Sequence, residues 1–134
     1  MEKEKITSFT KLISWQKAFS LVILIYKITK NFPEEELYGI ISQMRRAAVS
    51  VTSNISEGFS RIYKKEKIQF LYLSLGSLTE LENLLLIARE LGFLNKQSFD
   101  QASQLCVEVS KLITKSIKSL KSIQFFLRKL NTKC

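Results

Sequence analysis

Neither a nucleophile with its base nor a clustered metal site can be assembled from the residue types in this sequence. Histidine is absent, and the two cysteines, Cys106 and Cys134, stand far apart in the chain. A cysteine or serine nucleophile needs a base within hydrogen-bond reach, and a zinc site needs grouped thiolates or imidazoles. Glu80 and Glu82 are two residues apart, which on a helix points them in different directions rather than at one proton. No glycine-rich phosphate loop and no Glu-x-x-His ligand pair occurs. The expectation is a protein that is not an enzyme, with no catalytic residue, no metal ligand and no cofactor.

The basic residues point to a different chemistry. The chain carries 21 Lys and Arg against 12 Asp and Glu, a formal charge of +9, and its pI is near 9.7. A field of that sign raises the local concentration of anionic partners without selecting among them. From Lys111 onward every charged side chain is basic, namely Lys111, Lys115, Lys118, Lys121, Arg128, Lys129 and Lys133. A second cluster is Arg61, Lys64, Lys65 and Lys67, whereas Ile68 to Ser110 is net acidic. The candidate nucleic-acid contacts are therefore Arg61, Lys64, Lys65, Lys67, Lys111, Lys115, Lys118 and Lys121. Such contacts are electrostatic and weaken steeply with salt. Few aromatics accompany them beyond Tyr63 and the Phe125-Phe126 pair, so reading single strands by base stacking is not expected. The rival reading is a protein adaptor that docks through Phe125, Phe126 and Leu127, with the charge incidental.

Arg45 and Arg46 lie side by side among small apolar residues and cannot share one helix face. One of them should look into an interface and meet a carboxylate from Glu57, Glu80 or Glu82. That network, with Asn54, would set helix register or subunit pairing. The alternative is a phosphate-binding groove built from Arg45 or Arg46 with Ser53 and Asn54.

Long helices must position all of these groups. With 46% hydrophobic and 25% charged residues the chain has the balance of a folded domain, and four Gly and one Pro leave few places to turn. One domain spanning 1–134 is expected. The spacing predicts helices over 14–31, 35–58, 65–91 and 96–122, the last with a possible extension to 130. Ser14 is the expected N-cap of the first helix, ahead of a face formed by Trp15, Ala18, Val22, Ile25 and Thr29. Leu21, Leu24 and Ile28 add a second apolar stripe, so this helix should be covered on two sides. Asn31-Phe32-Pro33 ends it, and Glu34, Glu35 and Glu36 suit the amide end of the second helix. Small residues such as Ala47 and Ala48 in that helix allow close approach or leave room for Trp15. Gly58 is read as a stop or kink, and Gly92 before Phe93 as a C-cap. In the third helix Ile68, Leu71, Leu75, Leu78, Glu82, Leu85 and Ala88 form one stripe, with Phe70, Leu73, Leu81 and Leu84 forming another. The architecture predicted is all-α, an up-down-up-down antiparallel four-helix bundle. That topology brings the 61–67 cluster close to the basic end of the fourth helix. Leu21 to Ile28 is too short to span a bilayer, which needs roughly 20 apolar residues. The charged start Met1 to Lys5 has no signal-like continuation. Cys106, among Leu105, Val107 and Val109, reads as a core thiol, and a cytoplasmic setting is expected.

From about Phe9 to Leu120 the chain resembles the 23S rRNA intervening-sequence protein family. The resemblance rests on Trp15-Gln16-Lys17-Ala18, Ile25-Tyr26, Phe32-Pro33 and Glu36-Leu37-Tyr38-Gly39-Ile40. It continues through Ser42-Gln43-Met44-Arg45-Arg46-Ala47-Ala48 and Ser53-Asn54-Ile55-Ser56-Glu57-Gly58. Phe70-Leu71, Leu75-Gly76-Ser77-Leu78, Glu80-Leu81-Glu82 and Ala88-Arg89-Glu90-Leu91-Gly92-Phe93-Leu94 complete it. Thr52 departs from the pattern, which often has proline there, and this puts a kink in the second helix in question. The resemblance implies a homo-oligomer of four-helix bundles, commonly a pentameric ring, with no enzymatic reaction. It extends more distantly to the accessory variability determinants of diversity-generating retroelements, basic pentamers that bind nucleic acid beside a reverse transcriptase. An accessory role of that kind stands as a further possibility. RNA, DNA or a protein are the partners to be weighed, and no membrane is expected.

Overall fold

A computed structural model describes residues 6–132, so Lys133, Cys134 and the charged start at 1–5 lie outside the described residues. A short 3-10 turn, Phe9–Lys11, leads into α1 (Ile13–Thr29). A 3-10 turn, Glu34–Glu36, and a π-helical turn, Leu37–Ile41, then precede α2 (Ser42–Ser60). The remaining elements are α3 (Lys64–Glu90) and α4 (Lys96–Thr132). Each helix packs on its neighbours in sequence and α1 also packs on α4, which closes an antiparallel four-helix bundle.

The element ends follow local chemistry, and three of them correct the sequence reading. Ser14 is not the N-cap of α1. The cap position is Leu12, which offers no side-chain hydrogen bond, and Ser14 is buried within the first turn. The capping serine is Ser8, whose hydroxyl accepts from the Thr10 amide at 3.2 Å at the preceding turn. The second helix does not run unbroken from 35 to 58. Gly39 adopts a non-helical backbone (φ −105°, ψ −117°), so the three glutamates occupy a separate turn and α2 proper starts at Ser42. Through Thr52 the helix is continuous, so the break sits thirteen residues earlier than a proline at 52 would place it.

Gly58 neither stops nor kinks α2, which continues to Ser60. Its role is contact: a Cβ there would stand 3.0 Å from Phe70 Cβ and 3.4 Å from the Lys67 carbonyl. By contrast Gly92 is where the chain needs a left-handed residue, with φ +76°. Its amide donates to the Arg89 carbonyl at 3.0 Å and the Phe93 amide to the Ala88 carbonyl at 2.9 Å, the paired bonds of a Schellman C-cap. Asn95 then caps α4, its Oδ1 accepting from the Ser98 amide at 2.8 Å.

The core is one continuous cluster. It includes Ala18, Leu21, Ile25, Met44, Val51, Ile55, Leu78, Leu81, Leu85, Cys106, Val109 and Ile113. Each large side chain buried there contributes roughly 1.5–3 kcal/mol. In α3 the buried line runs through Leu71, Ser74, Leu78, Leu81 and Leu85, which leaves Glu82 exposed. Of the predicted stripe Ile68, Leu71, Leu78, Leu85 and Ala88 are buried and Leu75 is half-buried; at Glu82 the line passes to Leu81, because burying an unpaired carboxylate is costly whereas burying a leucine is favourable. Trp15 is half-buried against the core. It stacks on Phe19 with ring centroids 5.0 Å apart and meets Phe9 edge-on. By length and composition α3 would also suffice to cross a bilayer, although Leu71, Leu78, Leu81 and Leu85 are spent on this core.

Candidate nucleic-acid interface

The basic side chains sort into those already engaged and those open to a ligand. Lys67 is engaged. Its ammonium donates to the Phe59 carbonyl at 2.7 Å and the Gly58 carbonyl at 3.4 Å, closing the C-terminus of α2. Burial, with a smaller push from the Lys64 charge, holds this lysine below its usual pKa. Arg61 lies over the Phe70 ring at 4.7 Å. Lys121 donates to the Tyr72 hydroxyl at 2.6 Å and stands over the same ring. These three tie the bundle together before they meet any partner.

Lys65, Lys111, Lys115 and Lys118 are exposed, and Lys64 is half-buried. None of them has an ion pair or side-chain hydrogen bond among the described residues. On α4, Ser110, Lys111, Thr114, Lys115 and Lys118 line one shallow depression of about 350 Å³. Their spacing of three and four residues sets three ammonium groups and two hydroxyls along one face, over about 10 Å of helix. Glu108, the last carboxylate before this face, is drawn off toward Lys17 at 3.6 Å. What remains is a strip of ammonium donors and hydroxyls with no carboxylate of its own.

The second cluster lies further along, toward the C-terminal end of α4. The Lys121–Tyr72 contact sets the antiparallel register of α3 and α4, which brings Lys64 and Lys65 within about a turn of the level of Arg128. A cavity at the same end is lined by Lys67 together with Ser116, Ser119 and Leu120. The 61–67 cluster therefore lies toward the basic C-terminal end of α4, while Lys111, Lys115 and Lys118 stand roughly 15–25 Å back along that helix.

The arginine pair behaves differently from its expectation. Arg45 donates from Nε to Thr29 Oγ1 at 3.0 Å and covers the Tyr26 ring at 4.6 Å, so it joins α2 to α1 through a hydroxyl and an aromatic face. Arg46 is exposed, and among the described residues no ion pair joins either arginine to Glu57, Glu80 or Glu82, all three of which are exposed. Leaving those carboxylates in water avoids their desolvation. Asn54 does enter an interhelix network, with residues the sequence reading missed. Its amide donates to the Ser50 carbonyl at 2.9 Å, Ser50 and Ser77 hydroxyls meet at 2.7 Å, and Ser74 donates to the Val51 carbonyl at 2.8 Å. A serine at position 74 between Leu71 and Leu78, on a buried line, was the available signal. Ser53 is exposed and does not join Arg45 in a groove. Among the described residues no group of His, Cys, Asp and Glu side chains is arranged to hold a metal ion.

Comparison with solved structures gives a protein of unknown function from the S23 ribosomal protein family of Bacteroides thetaiotaomicron. The two superpose with a TM-score of 0.72 at 21% identity, covering 79% of this chain and 99% of that one. Comparison with curated proteins gives no match. The family model described as 23S rRNA-intervening sequence protein matches residues 10–115, a span that contains α1 to α3 and about half of α4. The chain belongs to the 23S rRNA-intervening sequence protein family.

Proposed function

We propose that this protein is a non-catalytic, homo-oligomeric binding protein that holds structured RNA, or another nucleic acid, on the basic face of α4. The observation that carries this reading is the depression lined by Lys111, Lys115 and Lys118 with Ser110 and Thr114, which presents only hydrogen-bond donors and hydroxyls. Phosphate oxygens are the complementary acceptors. Lys64 and Lys65 extend the same field toward the end of the bundle. The contacts read backbone charge rather than sequence, because no aromatic platform accompanies the lysines of this face.

Fluorescence anisotropy with a structured RNA, repeated across salt concentrations, tests the reading. Affinity is expected to fall linearly on logarithmic axes, and replacing Lys111, Lys115 and Lys118 with Gln is expected to lower the magnitude of that slope by about three. Equal slopes and affinities in the two proteins would remove this face from consideration. Binding that persists at high salt would instead favour the adaptor reading.

Assembly finds support on another surface. Tyr26, Leu37, Tyr38, Arg45, Arg46 and Val49 line one shallow concavity across α1 and α2. Tyr38 at its rim is 94% exposed, and Phe19 and Ile23 continue the apolar surface along α1. An apolar surface of this kind suits contact with a further copy.

A further inference from the structure

α4 outlasts α1 and α2, with α3 alone continuing beside it, and its apolar pattern does not stop where those two helices do. From Phe99 the residues Ala102, Cys106, Val109, Ile113, Ser116, Leu120, Ile123, Leu127 and Leu130 follow one another at alternating steps of three and four. That is an unbroken heptad seam, the spacing with which one helix packs along another. Ala102, Cys106, Val109 and Ile113 are fully buried in the bundle. Ser116 and Leu120 are half-buried, and then Ile123 is 43% and Leu127 44% exposed. The reason is positional. Leu12 and Ser14 at the start of α1 and Phe59 near the end of α2 line the same cavity as Leu120, so both helices end at that level.

We propose that α4 beyond Leu120 packs along this seam against the same segment of a further copy of the chain. Three observations select that occupant. The seam continues the α4 face that already makes helix–helix contact inside the bundle. The residues flanking it, Ser119, Gln124, Phe126 and Asn131, carry no charge, so no like charges face one another across the seam at these positions. The basic side chains Lys118, Lys121, Arg128 and Lys129 fall at heptad positions on the far side. Phe126, 61% exposed, widens the seam. The cavity beside Leu120, about 320 Å³ and mostly apolar, adds a place for a side chain of the arriving helix. The family match ends at residue 115, before the seam emerges, so the contact would be an addition to the shared bundle. It stands independently of the nucleic-acid reading.

Cysteine cross-linking of the full chain tests it, in a Cys134→Ser background, with a short bis-maleimide. Ile123→Cys, Phe126→Cys and Leu127→Cys place thiols on the seam, while Ser122→Cys and Arg128→Cys place them at exposed positions off it. Circular dichroism establishes that each variant keeps its helix content. At least one seam position is expected to give covalent dimers ten-fold or more faster than both outer positions. Equal rates on the two faces, or no dimers at all, would overturn the proposal. Anionic vesicles supply the competing outcome: seam thiols protected by lipid and not by raised protein concentration would make the segment a membrane-surface helix and overturn the pairing.

Discussion

Cys106 is fully buried on α4, and burial, followed by the nearby Glu82 carboxylate, pushes its thiol up to about 12. In the unfolded chain the same thiol ionises near 9.0, so the unfolded state sheds its proton first as the pH rises. The folded state therefore keeps its full advantage below about pH 9 and loses it toward pH 12, by at most about 1.4 kcal/mol per pH unit. Urea denaturation followed from about pH 8 to pH 11 should show a steeper loss of stability for the parent than for Cys106→Ala. Site-resolved mass spectrometry should find Cys106 unalkylated at neutral pH until the protein is unfolded. The glycines provide a second contrast between neighbouring chemistries. Gly76 is exposed with nothing within 4 Å of a built Cβ, whereas Gly58 faces Phe70 and backbone of α3. Gly76→Ala is expected to stabilise by about 0.5–1 kcal/mol through helix propensity. Gly58→Val is expected to destabilise by about 1–3 kcal/mol through overpacking, both read from denaturation midpoints.

At the scale of elements, the α3–α4 connection is the most tightly specified. It spans 91–95, between Glu90 and Lys96, and holds a left-handed glycine, a paired C-cap and an N-cap asparagine. Phe93 of this turn meets Phe32 with ring centroids 5.6 Å apart, so the turn also anchors the chain that follows α1. Alanine at 92 must adopt the same left-handed backbone, at a cost of roughly 1–2 kcal/mol. Gly92→Ala is expected to lower the unfolding free energy by that amount, read as a lower urea midpoint with no change in slope, because the bundle itself is not opened. The entry to α2 is specified in another way. Glu34, Glu35 and Glu36 suit a helix N-terminus, yet the Gly39 backbone turns them away from the α2 axis. Favourable end charges decide where a helix can begin, not whether it continues past a glycine.

Taken whole, the molecule segregates its charge and its apolar surface. Glu34, Glu35 and Glu36 precede α2, and further carboxylates lie on α2, α3 and the first part of α4, while α4 after Glu108 bears only positive charge. Tyr38 in the turn before α2, with Phe19 and Ile23 on α1, defines an apolar face that shares no residue with the α4 depression. Assembly and nucleic-acid binding can then use separate surfaces. Replacing Phe19 and Tyr38 with Ser should lower the mass measured by analytical ultracentrifugation while the far-ultraviolet dichroism stays unchanged. An unaltered mass would place the contact between copies elsewhere.

The number of helices, their approximate limits and most of the core were determined by the sequence alone. Those features depend on neighbours in the chain: apolar residues at three- and four-residue steps, Pro33 after α1, Gly92 after α3 and Asn95 before α4. The lysine strip on α4 was equally legible, because Lys111, Lys115 and Lys118 share a face by spacing alone. Tertiary structure decided what depends on distant residues. Whether Leu81 or Glu82 points inward depends on the rotation of α3 against α2 and α4. Arg45 takes Thr29 and Tyr26 rather than a carboxylate because α1 supplies them at that level, and Lys67 is drawn to the end of α2 because Gly58 lets α3 approach. The exposed seam past Leu120 belongs to the same class. Its heptad spacing is written in the sequence, but its exposure follows from where α1 and α2 end in space.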